Sequence, residues 1–154
     1  DYIIEDNHKN EGTVSEITIF YTKLATIDNK IILLPNGALA DTSITNVTNE
    51  DNRRVELKVG ISYQSDIRKA KSVITSLIEA NEKILKDKEY SIFVDDLGDS
   101  SVVLGMRFWT RTEDFWPVRW AMLEEIKYAF DENGIGIPFP QMDVHLDAVK
   151  EEKA

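Results

Sequence analysis

Cysteine is absent from this chain of 154 residues. Its absence removes disulfides, thiol nucleophiles and thiolate metal sites together, and is compatible with a cytosolic setting. Histidine is almost absent too: His8 and His145 are the two in the sequence, too few for a histidine-rich metal site. Long apolar runs are missing, and the densest, Ile31 to Pro35, falls far short of the roughly 20 residues a helix needs to cross a bilayer. The N-terminus, DYIIEDN, has neither the basic start nor the apolar stretch of a secretory signal. Positive charge is in deficit, with 18 Lys and Arg against 28 Asp and Glu and a formal charge of −10. Binding to a phosphate backbone relies on clustered Lys and Arg, so no nucleic-acid partner is expected.

What is present belongs to an ordinary folded chain, 42% hydrophobic and 30% charged. The length suits one average domain or two small ones. Beginning at Asp1 in a strand-like DYII, without Met, the sequence reads as a piece of something longer.

From Asp1 to Asn52, β-branched runs (YII, TVSEITIFYTKLAT, KIILL, SITNVT) are separated by turn signals at Asn7 to Gly12, Asp28 to Lys30 and Pro35 to Gly37. This predicts a small all-β unit of about five strands over residues 1–52. In the PNG turn, proline sets φ and Asn36 or Gly37 supplies a positive φ. Thr48 to Arg54, TNEDNRR, is polar throughout and reads as a linker.

Beyond it the grammar changes. Val55, Leu57, Val59, Ile61 and Tyr63 alternate with polar residues or glycine as a half-buried strand. Ser65 or Asp66 caps a helix whose apolar stripe runs from Ile67 through Ala70, Val73, Ile74, Leu77 and Ile78 to Leu85. Tyr90 to Val94 and Val102 to Trp109 form a strand pair across the GDSS turn. A second helix follows Glu113 and Asp114, with Pro117 in its first turn, a stripe of Val118, Met122, Ile126, Ala129 and Phe130, and a C-cap at Asn133 and Gly134. A last strand is expected at Ile135 to Phe139. Strand, helix, strand, strand, helix, strand is the βαββαβ, ferredoxin-like order, so the fold class is α+β. Residues Met142, Asp143, Val144, His145 and Leu146 alternate again after Pro138 and Pro140. An apolar strand left over once the unit is complete needs cover from another copy of the chain.

At this point the sequence resembles the small-conductance mechanosensitive channel (MscS) family. The residues that carry the likeness are EGTVSEI at Glu11 to Ile17, LLPNGALA at Leu33 to Ala40, ITN at Ile44 to Asn46, RRVELKVGISYQSD at Arg53 to Asp66, RFW at Arg107 to Trp109 and IPFPQMDVHL at Ile137 to Leu146. The resemblance implies an Sm-like β domain at 1–52, a ferredoxin-like α/β domain at 53–140, and a closing strand with tail at 141–154. It also implies three preceding transmembrane helices, seven copies enclosing a vestibule with side portals, and a parallel barrel built from one Met142–Leu146 strand per copy. Pro35, Asn36 and Gly37 match the loop beside the pore helix.

The expected function is therefore that of a channel component and not of an enzyme. By that resemblance it would be a vestibule on the cytoplasmic side of a bacterial or archaeal membrane, soluble as this piece, coupled to its own transmembrane part. Ions and small osmolytes would pass it in hypoosmotic shock, and no cofactor is called for. Its negative charge would enrich counter-ions in a lumen and disfavour anions. The alternative is a regulatory module that binds a small metabolite at an oligomer interface, which needs convergent polar groups. Other clusters read as structure. Trp109, Trp116, Trp120, Phe108 and Phe115 suit a helix packed on its sheet plus a subunit contact. Asp95, Asp96 and Asp99 suit turn chemistry, and Glu124, Glu125, Asp131 and Glu132 a solvated helix face.

Overall fold

In the computed structural model, which describes residues 1–146, the chain forms two compact units, the first Asp1–Arg53 and the second beginning at Arg54. The class is α+β, with a five-stranded and a three-stranded sheet.

The first unit contains β1 (Tyr2–Glu5), β2 (Glu11–Ile17), β3 (Tyr21–Ala25), β4 (Ile31–Pro35), the short helix α1 (Asn36–Ala40) and β5 (Ile44–Asn46). The sheet order is β4-β3-β2-β1-β5, with each adjacent pair antiparallel. This order is consistent with an Sm-like arrangement. Gly12 allows β2 to approach β3 closely, since a Cβ there would sit 2.7 Å from the Ala25 carbonyl oxygen. Asn29, at φ 64°, closes the β3–β4 turn, as its sequence suggested. The fully sequestered apolar side chains of this unit, among the described residues, are Ile3 and Leu24 alone.

The second unit follows from β6 (Asn52–Ile61), through α2 (Ile67–Ala80), β7 (Ser91–Leu97) and β8 (Val102–Arg111), to a 3-10 turn (Thr112–Asp114) and α3 (Phe115–Glu132). Its sheet order is β6-β8-β7. Asp66 caps α2 by accepting from the Arg68 and Lys69 N–H groups at 2.7 and 3.1 Å. Gly134, at φ +68°, follows α3 in the left-handed conformation expected of it. One apolar cluster joins Val55, Leu57 and Ile61 of β6 to Ala70, Ile74 and Ile78 of α2, alternate residues of β8, and Val118, Met122, Ile126 and Phe130 of α3.

Three expectations are corrected. The polar stretch at Thr48 to Arg54 is not wholly linker, because β6 already begins at Asn52. α2 stops at Ala80 and not near Leu85: the Asn81 N–H closes on the Leu77 carbonyl at 3.2 Å, and the Leu85 N–H instead donates to the Trp109 carbonyl at 2.8 Å. The strand expected at Ile135 to Phe139 does not form. Ile135 is buried and the Ser62 N–H donates to the Gly136 carbonyl at 2.8 Å, but Pro138 and Pro140 have no N–H to continue a ladder. The element order observed is thus βαββα plus this one-rung segment, consistent with a ferredoxin-like unit whose last strand is reduced.

Candidate functional site

Pro35, Asn36 and Gly37 do not form a β-turn with positive φ. Pro35 ends β4 in extended backbone (φ −58°, ψ 131°), and Asn36 and Gly37 open α1. The residue that organises the place is Asn36. Its backbone N–H donates to the Phe20 carbonyl at 2.9 Å, and its Nδ2 donates to the Thr18 and Ile19 carbonyls at 2.8 and 3.1 Å. Its Oδ1 accepts from the buried Thr22 hydroxyl at 2.8 Å. One residue therefore holds three successive carbonyls of the β2–β3 turn, two through its side chain and one through its backbone N–H. That turn carries Ile19 and Phe20, 87% and 79% exposed, beside exposed Ile17. An apolar tip on a backbone fixed this way suits contact with another apolar surface.

Met142, Asp143, Val144, His145 and Leu146 are exposed and in no strand, and Leu146 is 90% exposed. The Gln141 N–H, just before them, donates to the Ser100 hydroxyl at 3.0 Å. Among the described residues, nothing covers the three apolar members.

The aromatic group divides. Phe108 and Phe115 are buried, whereas Trp116 and Trp120 lie on the outer side of α3, exposed, with ring centroids 5.7 Å apart and planes tilted by 30°. Trp109, half-buried on β8, has the Lys88 ammonium 4.9 Å and the Arg54 guanidinium 6.0 Å from its ring centroid. Asp95 pairs with Lys58 at 2.6 Å, and this hydrogen bond and charge hold the ammonium above its ordinary pKa. Asp96 accepts from the Leu97 N–H at 2.9 Å. On α3, Glu124 accepts from the Tyr128 hydroxyl at 2.9 Å and Asp131 pairs with Lys127. These are exposed i, i+4 contacts on one helix face.

Glu5 is the buried charge that sequence reasoning passed over. It is 4% exposed, and its carboxylate accepts from the Asn7 N–H at 2.7 Å, the His8 N–H at 3.0 Å, Asn10 Nδ2 at 3.1 Å and the Thr42 hydroxyl at 3.2 Å. Desolvation pushes its pKa up, but the backbone donors of His8 and Asn7, then Asn10 and Thr42, outweigh it and hold the pKa below 4.5. The signal was in the alternation of YIIE, which puts Glu5 on the same inward side as Ile3. Among the described residues, no helix is long and apolar enough to cross a membrane.

These two units match known proteins in the same order. Residues 1–49 match the family model "Mechanosensitive ion channel, beta-domain", and residues 55–137 match "Mechanosensitive ion channel MscS, C-terminal". The chain belongs to the MscS family of mechanosensitive ion channels. The small-conductance mechanosensitive channel of Edwardsiella ictaluri is 43% identical over 140 residues, which are 90% of this chain and 49% of that protein. MscMJ of Methanocaldococcus jannaschii is 33% identical over 143 residues, covering 89% of this chain and 40% of that protein. In the closed-state crystal structure of Helicobacter pylori MscS, 58% of the solved chain corresponds to 96% of this one, at 36% identity and a TM-score of 0.88. Arabidopsis thaliana MSL1 shares the fold at 18% identity and a TM-score of 0.72, over 90% of this chain and 52% of that one. The chain spans about half the length of the curated relatives first matched.

Proposed function

We propose that this chain is the vestibule of a mechanosensitive channel, lying on the cytoplasmic side of the membrane. Seven copies would be held in register below a pore formed by preceding membrane helices. Ions and small osmolytes would reach that pore through portals between the copies. The observation that carries this reading is the unequal burial of the two units. The second unit has a full apolar core, whereas the first seals only Ile3 and Leu24 and leaves Ile17, Ile19, Phe20, Ile27, Ile31, Leu33 and Ile44 exposed. A unit with so little of its own core gains stability from neighbours that cover it.

Within this reading, the Asn36-held tip and the loop at Pro35, Asn36 and Gly37 form the contact with the pore helix. Met142, Asp143, Val144, His145 and Leu146 become a strand only when other copies supply partners, which would remove the free edges. The unit is a structural and coupling element and not a catalyst.

The test uses the full-length channel that contains this region. Native mass measurement should give seven copies, and pressure-clamped membrane patches should show tension-activated current. Deleting Met142 to Leu146 should lower the intact heptamer fraction while leaving the melting of the second unit unchanged. A different copy number, or a truncated channel that assembles with equal stability, would overturn the reading.

A further inference from the structure

The sheet of the second unit carries a polar cavity that the proposed vestibule role does not use. It measures about 400 Å³ and is lined in part by Glu56, Lys58, Phe93, Asp95, Arg107 and Arg119. Gly105 makes it possible. Phe93 lies directly opposite Gly105 in the β7–β8 ladder, and its ring covers the glycine so closely that a Cβ there would meet Cε2 at 2.5 Å.

The Arg107 guanidinium lies over that ring, 5.0 Å from its centroid, and its Nε lies 3.4 Å from Glu56 Oε1. Phe93 and Glu56 together anchor the guanidinium at the cavity wall. Glu56 is also engaged by Arg54 at 2.6 Å, and Lys58 reaches over the middle strand to Asp95. Both lining carboxylates thus have cation partners, and Arg119, from α3, adds a positive charge with no ion-pair partner among the described residues.

We propose that this cavity binds a nucleoside phosphate. An anchored guanidinium is a stacking surface for a planar base, as arginine is in many nucleotide-reading proteins. An unpaired arginine beside it is a bidentate receptor for phosphate oxygens. The volume suits a ligand larger than a lone ion. A local cationic excess on a chain of formal charge −10 confines the attraction to this place and keeps long nucleic acids away.

Calorimetric titration of the full chain with ATP, pyrophosphate and adenosine separates base from phosphate. ATP should bind saturably at one site per chain, with pyrophosphate and adenosine each weaker by about tenfold or more. Arg119→Gln should weaken ATP by about tenfold and leave adenosine unchanged. Arg107→Lys, which keeps the charge but loses the plane, should weaken ATP and adenosine alike, while Lys127→Gln on the solvated side of α3 should change nothing. No saturable ATP binding up to about 10 mM, pyrophosphate binding as tightly as ATP, or unaltered ATP affinity in Arg119→Gln would each overturn the proposal.

Discussion

Gly136 and Ser62 are joined where the tail meets the end of β6: the Ser62 N–H donates to the Gly136 carbonyl at 2.8 Å. The Gly136 N–H goes instead to the Ser65 hydroxyl at 3.1 Å. Two and four residues further on stand Pro138 and Pro140, which have no N–H to donate, and no strand forms there.

Replacing both prolines by alanine restores two donors. In Pro138→Ala/Pro140→Ala, amide hydrogen exchange at residues 138 and 140 should be slowed as the ladder extends. Rapid exchange at both positions would show that something other than the missing N–H groups stops the strand.

Gly105 has no room for a methyl group under the Phe93 ring. Gly105→Ala should lower stability by about 1–3 kcal/mol through overpacking, read as a shifted urea midpoint at constant slope. Combining it with Phe93→Leu should recover part of the loss, because the two substitutions share one contact.

Asn36→Ala leaves the Thr18 and Ile19 carbonyls without their amide donor and the Thr22 hydroxyl without its acceptor. A cost of about 1 kcal/mol is expected in thermal or chemical unfolding, since the Thr22 hydroxyl is buried while the more exposed turn carbonyls can take water. In the full channel, the same variant should shift the opening pressure. An unchanged pressure beside a clear stability loss would confine Asn36 to a structural role.

Glu5 makes the first unit acid-sensitive. Its folded pKa is lowered below 4.5, so the stability it contributes is present above 4.5 and is lost as pH falls through the folded value. Melting temperature measured from pH 7 downward should fall more steeply below 4.5 in the wild type than in Glu5→Gln. Parallel curves would mean that Glu5 does not titrate differently on folding.

Much of the second unit was legible because its signals are periodic. The alternation from Val55 to Ile61, the three-and-four spacing from Ile67 to Ile78 and from Val118 to Phe130, and the capping residues Asp66 and Gly134 all act locally. What escaped depends on partners distant in sequence. The end of α2 at Ala80 is set by Leu85 joining Trp109, and the state of Asn36 is set by a turn 16 to 18 residues upstream. Phe93 and Gly105 looked like ordinary strand residues until register placed one on the other. The exposure of Trp116 and Trp120 was hidden for another reason. Aromatics supply cores and contact surfaces alike, and position on α3 separates the two only once the buried stripe is known.

The imbalance in burial between the two units also bears on biosynthesis. Residues 1–53 leave the ribosome before the second unit but contain little that can hold them closed, whereas the second unit carries its own core. Of the two units, the one translated earlier is thus expected to mature later, once the proposed assembly covers its apolar surface. During that interval Ile19 and Phe20 are where a holdase would bind or a protease would cut.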